Sequence, residues 1–200
     1  MRPLASLFLL LLTSAPFTHA ATVADGAPPV VAKFLDLFDR LRTAQEQAAD
    51  GHFQLVPFQL SESEINEYLA YSLKTTPRPG VDSITVRILG SDYISTVTKI
   101  DFDALNSWQA NTIPTALRKV LKGKKAIAID FKIHADNSKL TFTVEKAHYQ
   151  DVVLPAIFVE KVIQIVAARQ PEKYDTSKPM PIPFGLRKVW TTEHTIQGHN

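Results

Sequence analysis

The stretch that most constrains this chain is Val152–Ala168, VVLPAIFVEKVIQIVAA. Pro155 suits the first turn of a helix, where its missing N–H is not needed. Beyond it Ile157, Phe158, Val159, Val162, Ile163, Ile165 and Val166 are apolar, and only Glu160, Lys161 and Gln164 interrupt. At about 3.6 residues per turn those three polar side chains form one narrow strip, and the rest of the helix surface is apolar. Such a helix needs a cover, and much of the remaining chain reads as strands with one apolar face.

The plainest of these is a hairpin. Ile127, Ile129, Phe131 and Ile133 alternate with other residues, Asp136–Lys139 turns the chain, and Leu140, Phe142 and Val144 alternate in return. A turn centred on Asn137-Ser138 pairs Ile133 with Phe142 and Phe131 with Val144, which puts both apolar sets on one face. The same register sets Asp130 opposite Glu145 on the wet face and sends His134 and His148 to opposite faces. A second hairpin is predicted from Val81–Leu89 and Tyr93–Phe102, turning at Gly90-Ser91.

Helices frame these strands. Val30, Val31, Phe34, Leu35, Leu37, Phe38 and Leu41 make one apolar face, and Gly51 marks its stop. A strand over Phe53–Leu60 follows, with Pro57 at a bulge or edge position. Ser61-Glu62-Ser63-Glu64 is a capping box that opens a helix over Glu62–Leu73. Asp103–Asn111 reads as polar and irregular, Ile113–Leu121 as a short helix, and Arg169–Pro183 as a loop. Leu186–Trp190 reads as a strand that Thr191–Ile196 continues or pairs with. The expected class is α+β, a curved antiparallel sheet wrapped around one or more long amphipathic helices.

Residues 1–20 read as a leader rather than as fold. Arg2 precedes an apolar run from Leu4 to Leu12, and Thr18 and Ala20 stand at the −3 and −1 positions of a cleavage site. The run is too short for a span, which needs about 20 apolar residues. No cysteine is present, which excludes a lipid-anchored export signal and leaves stability to burial alone. Residues 21–200 are expected to form a single domain with a loose tail over 21–29, in the periplasm or outside the cell. The formal net charge of +2 falls by one without Arg2, which argues against nucleic acid as a partner.

Three stretches together carry a likeness. They are Ser61-Glu62-Ser63-Glu64-Ile65-Asn66-Glu67-Tyr68-Leu69, Val152-Val153-Leu154-Pro155, and Pro183-Phe184-Gly185-Leu186-Arg187-Lys188-Val189. In these the chain resembles the tubular-lipid-binding (TULIP-like) superfamily, in particular its small exported bacterial members. The resemblance implies a strongly curved antiparallel sheet around a long helix, with lipid held between them. It transfers no catalytic residue.

The expected function is therefore non-catalytic carriage of a lipid or acyl chain, against the alternative of an envelope interaction protein with a packed core. The ligand-contacting set is Phe131, Ile133, Phe142, Val144, Phe158, Val162 and Ile165. Arg118, Lys119, Lys122, Lys124 and Lys125 form the densest basic run, suited to transient contact with anionic headgroups or simply to a solvated helix end. Asp130 and Glu145, flanked by Lys132 and Lys146, read as a salt-bridged exposed face rather than an acid–base pair. The histidines lack convergent spacing, so no metal and no cofactor is expected. Trp108 and Trp190 are isolated aromatics, and Trp108, in a polar linker, reads as a contact surface or a core residue.

Overall fold

Two-residue turns set the register of most of the sheet. The computed structural model describes residues 27–108, 122–150, 152–155, 159 and 178–200. Within these, β2 (Val81–Gly90) and β3 (Tyr93–Asp101) join through Ser91-Asp92, at φ 51° and 65°. β4 (Lys124–Asp136) and β5 (Lys139–Tyr149) join through Asn137-Ser138, at φ 50° and 59°. Two consecutive positive φ values match the twist that a two-residue hairpin requires. The first turn sits one residue later than expected, because Gly90, at φ 81°, is taken up in a register shift at the end of β2.

The strands form an open, antiparallel sheet, and with three α-helices among the described residues the class is α+β. β2, β3, β4 and β5 lie side by side as a meander, with β6 (Val152–Leu154) and β7 (Met180–Pro181) on the outer side of β5. β3 covers β4 from Lys124 to Lys132, and β4 then runs on. There Ala135 pairs with Val189 of β8 (Lys188–Thr192), which pairs in turn with β9 (Thr195–His199) and β1 (Pro57–Ser61). Thr191–Ile196 thus pairs back rather than continuing. Pro57 opens an edge strand, where its missing N–H costs no ladder bond. Gly198 admits no side chain, because a Cβ would lie 2.7 Å from the Lys188 carbonyl oxygen and from the Phe58 ring.

Helices α1 (Pro29–Ala49) and α2 (Glu62–Thr75) share one core with the sheet. Phe34 stacks on Tyr68 with ring centroids 4.3 Å apart, and Phe38 stacks on Phe184 at 5.5 Å. These rings belong to one core with Val86, Ile88 and Ile94, all fully buried. The capping box is formed as expected: the Glu64 N–H donates to Ser61 Oγ, and the Ser61 N–H donates to the Glu64 carboxylate at 2.8 Å.

The rest of that motif clamps the open edge of β2. The Asn66 amide Nδ2 donates to the Val86 carbonyl at 2.8 Å, and the Val86 N–H donates to Asn66 Oδ1 at 2.7 Å. One turn earlier, Glu62 accepts from the Ile88 N–H at 2.7 Å and from His194 Nδ1 at 3.2 Å. Two side chains four residues apart on one helix face thus bond the backbone of an edge strand, which otherwise invites pairing with another chain.

Burial by itself raises the Glu62 carboxyl, but the Ile88 N–H, with His194 and Arg87, brings it net below the usual 4.5. A folded value below the unfolded one adds stability that is complete above about pH 4.5 and lost as pH falls through the folded value. Thermal melts followed by circular dichroism are expected to fall on acidification below that point. Glu62→Gln should flatten that fall, and an unchanged pH profile in the variant would remove this account.

Three expectations change. Phe102–Trp108 is a short helix, α3, not an irregular stretch. Asp101 caps it by accepting from the Asp103 and Ala104 N–H groups, and Phe102 and Leu105 pack with Ile100 and Ile127. Asp130 does not face Glu145: a bulge pairs Asp130 with Lys146 while Phe131 keeps Val144. The extra residue sets opposite charges together where an unbroken ladder would oppose two carboxylates. Beyond the bulge, Ala147 turns to the core and His148, opposite Ala128, joins the face of His134. The Phe53–Leu60 strand begins only at Pro57. The leader, the helix over Ile113–Leu121 and the loop over 169–177 lie outside the described residues, as does the helix from Pro155 apart from its start and Val159. No helix of the described residues is long and apolar enough to cross a membrane.

Candidate functional site

Alternation along β2 to β5 gathers one broad apolar sheet face. The pairings align Val86, Thr96, Ile129 and Ala147 in one row, and Ile88, Ile94, Phe131 and Val144 in the next. The expected partners Ile133 with Phe142 and Phe131 with Val144 are both observed.

This face is not covered as one core. Ile133, 7% exposed, belongs to the main core with α1 and α2, and half-buried Phe131 packs against it. Val144, 5% exposed, belongs instead to a separate group with Ala147 and Val159. Ile129, Phe142 and Leu154 pack on that group while only partly buried, and Phe142 also touches the main core. Val159, from the apolar stretch after Pro155, therefore lies on the β5 side of this face. Phe158, Val162 and Ile165 lie outside the described residues. Val152 and Val153 of β6 are 60% and 66% exposed.

Within the basic run, Lys124 has an acidic partner. Lys124 Nζ bonds Asp82 at 3.0 Å, and this carboxylate raises the ammonium above its usual range. Lys122 is exposed and Lys125 half-buried, while Arg118 and Lys119 lie outside the described residues. The pairing of Lys124 leaves less charge for a headgroup, and in an exposed pair it contributes little to stability.

A cleft of ≈ 660 Å³ opens elsewhere, around the pairing of β4 and β8 at Ala135 and Val189. Asp92, His134, Asp136, Lys188, Trp190 and His199 line it with those two residues. Because Val189 packs toward the core, its neighbours Lys188 and Trp190 point to the other face of the sheet. The cleft is thus on the side away from α1 and α2. The sequence singled out His134 and Trp190 separately and gave Asp92, Asp136, Lys188 and His199 no role in a site. They come from three distant stretches, joined by the Ala135–Val189 pairing and by the hydrogen bonds between Asp92 and Thr191.

His134 and His148 now share a face, but Ala128, the partner of His148, is six positions from His134, roughly 20 Å along a strand. No group of three or more histidine or acidic side chains suited to a metal occurs among the described residues.

No family model, curated protein or solved structure matches this chain.

Proposed function

We propose that the chain is a non-catalytic carrier or sensor of a hydrophobic ligand, a lipid or acyl chain, exported to the bacterial envelope by its leader. The carrying observation is the division of the apolar sheet face. Under α1 and α2 it is filled by stacked rings, while toward β5 the large side chains Ile129, Phe131, Phe142 and Leu154 stay half-buried. An apolar ligand over that half removes more apolar surface from water, at roughly 25 cal/mol per Å². Its sheet-side contacts are Phe131, Phe142 and Val144. Phe158, Val162 and Ile165 are the matching contacts from the apolar stretch, and the sheet curving around that stretch is part of the same proposal.

Burial of Ile133 and Val144 favours the second reading, a packed interaction protein with no small-molecule ligand. Two measurements separate them. The chain purified without detergent is extracted with organic solvent and analysed by mass spectrometry, and a fluorescent fatty acid is titrated into the delipidated protein. Lipid in the extract and saturable binding, weakened by Phe142→Gln in a variant with an unchanged melt, are expected. An empty extract with no saturable binding leaves the packed interaction protein.

A further inference from the structure

We infer that the cleft between β4 and β8 is a second binding site, for a neutral saccharide, on the sheet face away from the proposed lipid contacts. Its lining is amphiphilic in a specific way. Trp190 supplies an apolar surface beside the Ala135–Val189 strand pair, while Asp92, Asp136, His134, His199 and Lys188 supply donors and acceptors around it. A pyranose ring has the matching make-up, with C–H groups on its faces and hydroxyls at its rim. An indole gives such a ring a large, rigid contact surface. Two carboxylates against one ammonium and two imidazoles give no strong bias toward an anion or a cation.

The walls are held before any ligand arrives. The Asp92 N–H donates to Thr191 Oγ1 and the Thr191 N–H donates to Asp92 Oδ1, both at 2.8 Å, which locks the β2–β3 turn to β8. The Trp190 ring meets the His199 ring edge-on, with centroids 6.2 Å apart. His199 Nδ1 lies 3.0 Å from the Asn200 backbone oxygen. An oxygen there takes a proton from Nδ1, which leaves Nε2 as an acceptor in the neutral ring. Asn137 Nδ2 donates to Asp136 Oδ2 at 2.7 Å, which orients that carboxylate and leaves Oδ1. Asp92 likewise keeps Oδ2. Side chains fixed in this way lose little further freedom on binding. The size falls within the range of small-ligand clefts.

The test uses the full chain and ligand-observed saturation-transfer NMR with cellobiose and N,N′-diacetylchitobiose. Glucose 6-phosphate and putrescine serve as charged controls. Saturable binding of at least one disaccharide is expected, with the strongest transfer to ring C–H protons. Trp190→Phe should weaken it about three- to tenfold and Asp136→Asn should weaken it as well, with both variants retaining the parent far-UV spectrum. Phe142→Gln should leave it unchanged, which keeps failure here distinct from failure of the lipid reading. Absence of binding by both disaccharides, tighter binding of either control, or full binding by Trp190→Phe and Asp136→Asn overturns the assignment.

Discussion

Replacing Asn66 with alanine is expected to destabilise the chain by about 2–4 kcal/mol, because it leaves two backbone groups of a buried residue without partners. Val86 is fully buried, and its N–H and carbonyl on the open side of β2 are both met by the Asn66 side chain. An aspartate there keeps the acceptor for the N–H but sets a negative oxygen against the Val86 carbonyl, so Asn66→Asp should recover little. Only an amide carries a donor and an acceptor side by side. Urea unfolding gives the measurement, read as a lowered midpoint at an unchanged slope. A loss below about 0.5 kcal/mol in Asn66→Ala would show water replacing the amide and would remove the clamp from this account. The same variant exposes an unpaired strand edge, so concentration-dependent association should rise with it.

Phe34→Ala is expected to cost about 3–5 kcal/mol, the range for deleting a ring from a packed core. Phe34 has no exposed surface, stacks on Tyr68 and meets the edge of Phe38 at 5.9 Å. The cavity would open where α1, α2 and the sheet meet, and its aromatic neighbours Tyr68 on α2 and Phe38 on α1 are too firmly held to close on it. Phe34→Leu should cost less, because it keeps most of the volume. Differential scanning calorimetry and near-ultraviolet circular dichroism measure the two effects, a lower Tm and a loss of aromatic signal. An alanine variant with the parent Tm would show that the ring stack does not hold the helices to the sheet. Domain stabilities of about 5–15 kcal/mol make either substitution a large fraction of the total.

Local patterns carried much of the fold. The capping box at Ser61 and Glu64 lies within four residues and is decided by helix-end geometry alone. The turn at Asn137-Ser138 and the pairing of Ile133 with Phe142 follow from the alternation around them. The bulge at Glu145 was not legible, because a strict alternation has no place for an extra residue. It is selected by the charge across the ladder and by Ala147 at the core. The short helix α3 hid behind polar composition, although Asp101 ahead of Phe102 and Leu105 carries a cap and an apolar spacing. Asn66 was visible in its motif, but its role was not, since its partner Val86 lies 20 residues away.

The sites divide along the same line. Phe131, Ile133, Phe142 and Val144 share a face in the sequence and in the fold, because the two-residue period of a strand is a local property. Which of them packs under α1 and α2, and which stays with Val159, depends on where those elements come to rest on the sheet. The outer cleft is a tertiary product throughout. Its residues sit on β4, β8, β9 and the β2–β3 turn, brought together by the pairing of Ala135 with Val189, the β8–β9 pairing and the Asp92–Thr191 hydrogen bonds.

By itself, then, the sequence determined α1, α2, the hairpins and the shared apolar face of Phe131, Ile133, Phe142 and Val144, because caps, turns and periodicities act over a few residues. The tertiary structure alone decided which strand edge Asn66 closes, which half of the apolar sheet is filled, and where a Trp-lined cleft opens. Those depend on contacts between distant segments, whose closure is set by the balance of burial against chain entropy and leaves no local mark.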